Sequence, residues 1–142
     1  MKYTTHITVK FQHVDWARIV FYPRYFEMFN QVVEQWFDEG LGCSFHRLHE
    51  EWNNGIPLVD SQCRFRRANH LGEQITFELE LLKLGRRSFT LMVKGSHLGE
   101  LCVDAQLTMV WVTLTQPVAA IPIPQDVRQA MEPYLRDTNQ QE

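Results

Sequence analysis

Residues Tyr3 to Phe11 alternate, with Tyr3, Thr5, Ile7, Val9 and Phe11 on one side and Thr4, His6, Thr8 and Lys10 on the other. A period of two is the mark of a half-buried strand. The period then changes. Phe26, Phe29, Val33, Trp36 and Phe37 recur at helical spacing, widened by Tyr25, Met28 and Val32. Pro23 suits a first helical turn, where its missing N–H costs nothing, and Gly40 and Gly42 offer a stop. The pattern predicts a helix from about Pro23 to Glu39, apolar over more than half its surface and therefore enclosed. Phe45 to Pro57 is mixed and reads as irregular or briefly helical. Four extended runs follow. Val59, Ser61, Cys63 and Phe65 face away from Gln62, Arg64 and Arg66. Ile75, Phe77, Leu79 and Leu81 face away from Gln74, Thr76, Glu78 and Glu80. Phe89, Leu91 and Val93 oppose Ser88, Thr90 and Lys94. A long run, Leu101 to Thr115, puts Leu101, Val103, Ala105, Leu107, Met109 and Trp111 on one face. Gly85 and Gly99 mark tight connections, so the last three strands read as a meander. Pro117, Pro122 and Pro124 end the sheet, a short helix follows from about Gln125 to Leu135, and Thr138 to Glu142 is expected to fray.

One strand, one enclosed helix and four more strands describe an α+β fold in which a curled antiparallel five-stranded sheet wraps a central helix. One helix covers one face of such a sheet, so the free edges invite a second copy of the chain, and a dimer is the least assembly expected. With 142 residues, 44% of them hydrophobic, residues 1–142 make one domain with a real core. A formal net charge of −3 lacks the basic footprint that nonspecific nucleic-acid binding needs. Met1 to Lys10 already alternates as a strand and holds no long apolar run, which reads as neither a signal peptide nor a membrane span. Three cysteines, Cys43, Cys63 and Cys102, follow no framework spacing, and a reduced cytoplasmic protein is the simplest reading.

Asp15 lies between the first strand and the helix. An aspartate there commonly caps a helix or closes a turn. The chemical reading is a carboxylate acting on an acyl group, as nucleophile, as general base toward water, or by steadying charge. Arg18 is placed to pair with it, which would favour the ionised form. The helix start at Phe21-Tyr22-Pro23 would supply the backbone N–H of Tyr22 and a positive dipole end for a developing oxyanion, since Pro23 has no N–H. The Tyr22 ring itself reads equally as a packing residue, and His13 as a turn residue. Cys43-x-x-His46-x-x-His49 with Glu50 and Glu51 has ligand types that zinc accepts but no established spacing, and no metal is expected. Gly85-Arg86-Arg87-Ser88 is a basic hairpin tip, a solvated turn by default and a phosphate grip by function. Arg64, Arg66 and Arg67 add positive charge nearby. There is no nucleotide-type Gly-rich loop, no dinucleotide fingerprint and no Gly-x-Ser-x-Gly elbow.

The run Asp15-Trp16-Ala17-Arg18-Ile19-Val20-Phe21-Tyr22-Pro23-Arg24-Tyr25 resembles the active-site segment of the hotdog thioesterases, specifically the 4-hydroxybenzoyl-CoA thioesterase family. That pattern is an Asp, any residue, Ala-Gly-Ile-Val, an aromatic, Tyr-Pro, any residue, Tyr. Trp36-Phe37, Gly40-Leu41, the hairpin tip Arg86-Arg87-Ser88-Phe89 and Ala120-Ile121-Pro122-Ile123-Pro124 extend the likeness over nearly the whole chain. The resemblance implies the hotdog fold and hydrolysis of an acyl-CoA thioester. It assigns the catalytic acid to Asp15, the carbonyl-polarising amide to Tyr22, and contacts with the CoA phosphates to Arg86 and Arg87. It further implies a homodimer or dimer of dimers with an acyl pocket shared across the dimer, CoA being part of the substrate and no cofactor being retained. Two positions depart: Arg18 replaces a usual Gly, and His13 stands where an acid is common. Pro23, where a related branch carries His, favours an aromatic acyl group such as benzoyl or hydroxybenzoyl. The alternatives are a short- or medium-chain acyl group on CoA or acyl-carrier protein, and a noncatalytic module that binds acyl-CoA.

Overall fold

A computed structural model describes residues 1–137; the fraying expected of Thr138 to Glu142 lies outside the described residues. In chain order the elements are β1 (Tyr3–Thr8), α1 (Pro23–Gln35), β2 (Asn54–Gly55), β3 (Leu58–Phe65), β4 (Gln74–Leu84), β5 (Ser88–His97), β6 (Glu100–Val110), β7 (Val112–Thr113), β8 (Ala119–Ala120) and α2 (Gln125–Met131). Five strands form one antiparallel sheet in the order β1-β4-β5-β6-β3. Register shifts at Leu81/Lys83 in β4 and Leu58/Asp60 in β3 interrupt the pleat, and such bulges bend strands. The sheet carries α1 on one face, which is the hotdog arrangement.

The period-two reading of the strands locates the core. Ile75, Phe77, Leu79 and Leu81 of β4, Phe89, Leu91 and Val93 of β5, and Val103, Ala105 and Leu107 of β6 are buried. Onto them α1 lays Tyr25, Met28, Phe29, Val32 and Val33. Each large apolar side chain removed from water contributes about 1.5–3 kcal/mol, so this interface dominates the fold's stability. Gly95 sets how close α1 can come. A Cβ there would lie 2.8 Å from the Phe77 ring, which packs edge-on against Phe29.

Several expectations change in detail. The helix keeps α geometry to Gln35 and then widens into a π-turn at Trp36–Gly40, which still buries Trp36 and Phe37. A second π-turn, Arg47–Glu51, occupies the segment read as irregular. The first strand ends at Thr8 and the chain turns through a 3₁₀ turn at Phe11–His13, leaving Phe11 83% exposed instead of inward. The long run from Leu101 breaks at Trp111. Its N–H donates to Arg87 O (2.7 Å), its buried indole N–H donates to Asn54 Oδ1 (2.8 Å), and the chain beyond joins a small second sheet, β2-β7-β8. β3 does not bury an alternating face: Leu58, Val59 and Phe65 are exposed, because β3 is an edge strand reached by little of the chain's own helix. The last helix stops at Met131 and gives way to a 3₁₀ turn, Glu132–Tyr134, which contains Pro133.

Candidate active site

The segment between β1 and α1 folds back on itself as a miniature ladder. Val14 bridges Val20 antiparallel, the Asp15 N–H donates to Ile19 O (3.2 Å), and the Phe21 N–H donates to His13 O (2.9 Å). The tip of this ladder is the tight turn Asp15-Trp16-Ala17-Arg18. There the Arg18 N–H donates to Asp15 O (2.9 Å) and the Ala17 N–H to Asp15 Oδ1 (2.8 Å), so the aspartate closes its own turn. Oδ2 accepts no hydrogen bond among the described residues. The side chain is exposed and lines a groove of about 700 Å³ with Phe11, Val14, Trp16, Arg18 and Leu71. Trp16 is fully exposed, an apolar rim that nothing in a single chain covers.

The ion pair expected between Arg18 and Asp15 is not formed among the described residues; Asp15 is held by the Ala17 amide instead. Arg18 adopts φ +66°, the left-handed conformation that glycine takes easily. His13 is a turn residue whose Nδ1 accepts the Lys10 N–H (2.8 Å), and partial burial pushes its imidazole below the ordinary range.

From Ile19 the chain runs directly into the helix mouth. The Arg24 N–H donates to Phe21 O (2.8 Å) and the Tyr25 N–H to Tyr22 O (3.2 Å), while Pro23 has no N–H. The Tyr22 amide therefore remains without an acceptor among the described residues, at the positive end of α1. Its exposed ring packs on Phe21 and on Phe65 of β3. Ile19, which faces Asp15 across the ladder, is three residues from Tyr22, about 10 Å of extended chain.

Arg86 and Arg87 are not brought to this place. They sit exposed at the tip of the β4–β5 hairpin, whose turn is closed by the Gly85 N–H on Ser88 O (2.8 Å). The tip is braced from behind by Arg128 of α2, which donates to Gly85 O (2.7 Å), and by the Ile123 N–H on Arg86 O (2.9 Å). The ladder docks instead beside Glu73, at the other end of β4, and the extended length of that strand is about 35 Å. Arg66 and Arg67 are committed to carboxylates, Arg66 to Asp104 (2.5 Å) and Arg67 to Glu73 and Glu100 (3.1 and 3.0 Å). Cys43, His46 and His49 do not gather into a metal-holding group among the described residues.

Near the hairpin tip lies a second groove, about 550 Å³, which no motif announced. Its walls are mainly apolar, including Phe45, Ile56, Met109 and Val112, with Asn30, Glu34 and His49 among them. Asn30 and Glu34 sit within the periodic pattern of α1 as ordinary exposed positions, so the sequence carried no signal for a groove there.

The chain belongs to the thioesterase-like superfamily, whose model matches residues 7–131, from late β1 to the end of α2. Among solved structures, it resembles a gentisyl-coenzyme A thioesterase with 27% identity and a TM-score of 0.83, over 91% of this chain and 99% of that one. It also resembles a 1,4-dihydroxy-2-naphthoyl-CoA thioesterase from Synechocystis (20% identity, TM-score 0.83, 92% and 96% covered). A third is an aspartate-to-asparagine variant of 4-hydroxybenzoyl-CoA thioesterase complexed with 4-hydroxybenzoyl-CoA (20%, 0.85, 92% and 98%). No curated protein sequence matches the chain. Among the described residues no helix is long and apolar enough to cross a membrane.

Proposed function

We propose that this protein hydrolyses an acyl-CoA thioester, with Asp15 as the catalytic carboxylate and the Tyr22 amide as oxyanion donor. The observation that carries the reading is the pairing of a carboxylate oxygen without a partner and a backbone N–H without an acceptor on one short ladder at a helix mouth. As the thioester carbonyl is attacked, its oxygen gains negative charge, and the Tyr22 N–H and helix dipole stabilise that charge where it develops. Asp15 either attacks the carbonyl itself, expelling CoA thiolate and leaving an anhydride for water to open, or takes a proton from an attacking water. Both routes release the acid and CoA. CoA is substrate, and neither route calls on a retained cofactor or a metal.

The working unit is a dimer in this reading. β3 offers an unpaired edge flanked by exposed Leu58, Val59 and Phe65. Antiparallel pairing of two β3 edges would run the partner's Phe65 end, with its Tyr22 and Asp15, past the Leu58 end of this chain. That end carries the second groove and, across Phe89 and Met109, the Arg86–Arg87 tip. One complete site then takes its acid and amide from one protomer, and its acyl groove and phosphate grip from the other. The groove's apolar walls and its Asn30, Glu34 and His49 suit an aryl acyl group bearing a hydroxyl, in keeping with the gentisyl-CoA thioesterase at 27% identity.

Thiol release from a panel of benzoyl, hydroxybenzoyl and straight-chain CoA esters tests this, alongside the matching pantetheine esters. Hydroxybenzoyl-CoA is expected to turn over fastest. Arg86→Ala/Arg87→Ala should raise KM for CoA esters roughly tenfold, about 1.4 kcal/mol, and leave KM for pantetheine esters unchanged. Faster turnover of straight-chain esters would move the acyl assignment to fatty acids. No thiol release from any ester would leave only a binding module.

A further inference from the structure

Asn69 is completely buried in the loop between β3 and β4, and every polar atom of its side chain has a partner. Nδ2 donates to Glu73 Oε1 (3.2 Å) and Cys102 Sγ (3.3 Å), and Oδ1 accepts the Tyr25 hydroxyl (2.8 Å). Chemistry fixes this orientation, because the Glu73 carboxylate can only accept and must face the NH₂ group. Glu73 is itself immobilised. Arg67 grips it through two bonds of 3.1 Å, and the His70 N–H adds a third donor (2.9 Å). The main chain of the same loop holds the other half of the site. Asn69 O accepts the Val20 N–H (2.9 Å), and His70 bridges Ile19.

Val20 and Ile19 form the arm that pairs with Val14 and Asp15. Tyr25 lies in the first turn of α1, where its N–H bonds Tyr22 O. Through its carbonyl Asn69 thus fixes the strand returning from the acid, and through its amide it fixes the turn that presents the oxyanion donor. We propose that Asn69 is a positioning residue for the hydrolytic step, setting the distance between the Asp15 carboxylate and the Tyr22 amide through Val20 and Tyr25. The assignment rests on the hydrolytic reading above. Attack geometry is steep enough that a shift of about 1 Å can cost roughly a hundredfold in rate.

Asn69→Ala strands buried partners and risks unfolding. Tyr25→Phe is milder: it keeps the ring against Phe65 and removes only the hydroxyl bond to Asn69. Expected for Tyr25→Phe are a fall in kcat of roughly tenfold with KM within about twofold, and faster amide hydrogen exchange confined to residues 13–25. Where Asn69→Ala folds, the double variant should lose no more kcat than Asn69→Ala alone, since Tyr25→Phe removes only a bond that Asn69→Ala has already broken. A kcat within about fivefold of the parent, per folded molecule, overturns the assignment, as does unchanged exchange in residues 13–25. A parent protein that releases no thiol from any ester overturns the hydrolytic reading instead, and the exchange experiment then still decides whether Asn69 holds the two halves together.

Discussion

Arg18 holds a backbone conformation of φ +66° at the tip of the ladder, with an exposed side chain that makes no ion pair to Asp15. Left-handed geometry costs an L-residue about 1–2 kcal/mol, and glycine gives back roughly half of the gain through its freer unfolded chain. Arg18→Gly is therefore expected to raise stability by about 0.5–1 kcal/mol in urea denaturation. A neutral or destabilising result would mean that the guanidinium contributes more than the turn loses. The resemblance places a glycine at this position, so the backbone demand is legible in the sequence. Asn69 was not, for a physical reason: an asparagine among Arg67, Ala68, His70 and Leu71 looks like a solvated loop residue. Only the approach of Tyr25, Glu73 and Cys102 from distant parts of the chain makes it a buried hub. Phe11 erred in the opposite sense. It continued the alternation of β1 on paper, but the 3₁₀ turn at Phe11–His13 rotated it outward, toward the groove beside Asp15.

At the scale of elements, periodicity was a sound guide wherever one face meets the core. β4, β5, β6 and α1 bury most of the residues that their spacing singled out; Phe26 is only partly buried, and so is Leu101, beside the register shift at Gly95/Ser96. It failed where burial depends on something other than the element itself. β3 alternates only weakly because neither face is covered, and the run after Val110 breaks because Trp111 is captured by Asn54 and Arg87. The loop from Arg66 to Glu73 holds its shape by charge. Hydrogen bonds from Arg67 are the largest cause drawing the Glu73 carboxyl down to about 2, with His70 and Asn69 adding to them, and His97 Nε2 lies 3.5 Å away. A carboxyl depressed in the folded state stabilises the protein above its unfolded value of about 4.3, and that contribution disappears as pH falls toward 2. Stability should accordingly drop between about pH 4.5 and pH 2, and Glu73→Gln should be less stable at neutral pH but flatter across that window. Denaturation midpoints at a series of pH values check this, and parallel curves for the two proteins would show that Glu73 is not the group responsible.

The whole molecule separates what the proposed chemistry must unite. The acid and the amide lie at the Phe65 end of β3, and the second groove and the arginine tip lie toward its Leu58 end, about 23 Å away along the strand. From the sequence alone the sheet, its enclosed helix, the acid-bearing segment and the arginine tip could be read, but not the second groove or the opposite placement of the two ends, which depends on the order β1-β4-β5-β6-β3. In the proposed dimer a second copy across the β3 edge would resolve the separation and cover apolar surface that one chain leaves in water. In the proposed mechanism the reaction turns on Asp15. Replacing it by Asn keeps the turn-closing oxygen that accepts the Ala17 N–H and removes the charge. The most direct measurement is the rate of CoA release by Asp15→Asn under saturating ester, with circular dichroism and sedimentation run on the same sample. The expected result is a loss of at least about a thousandfold with fold and assembly intact; turnover at the parent rate would show that some other group performs the chemistry.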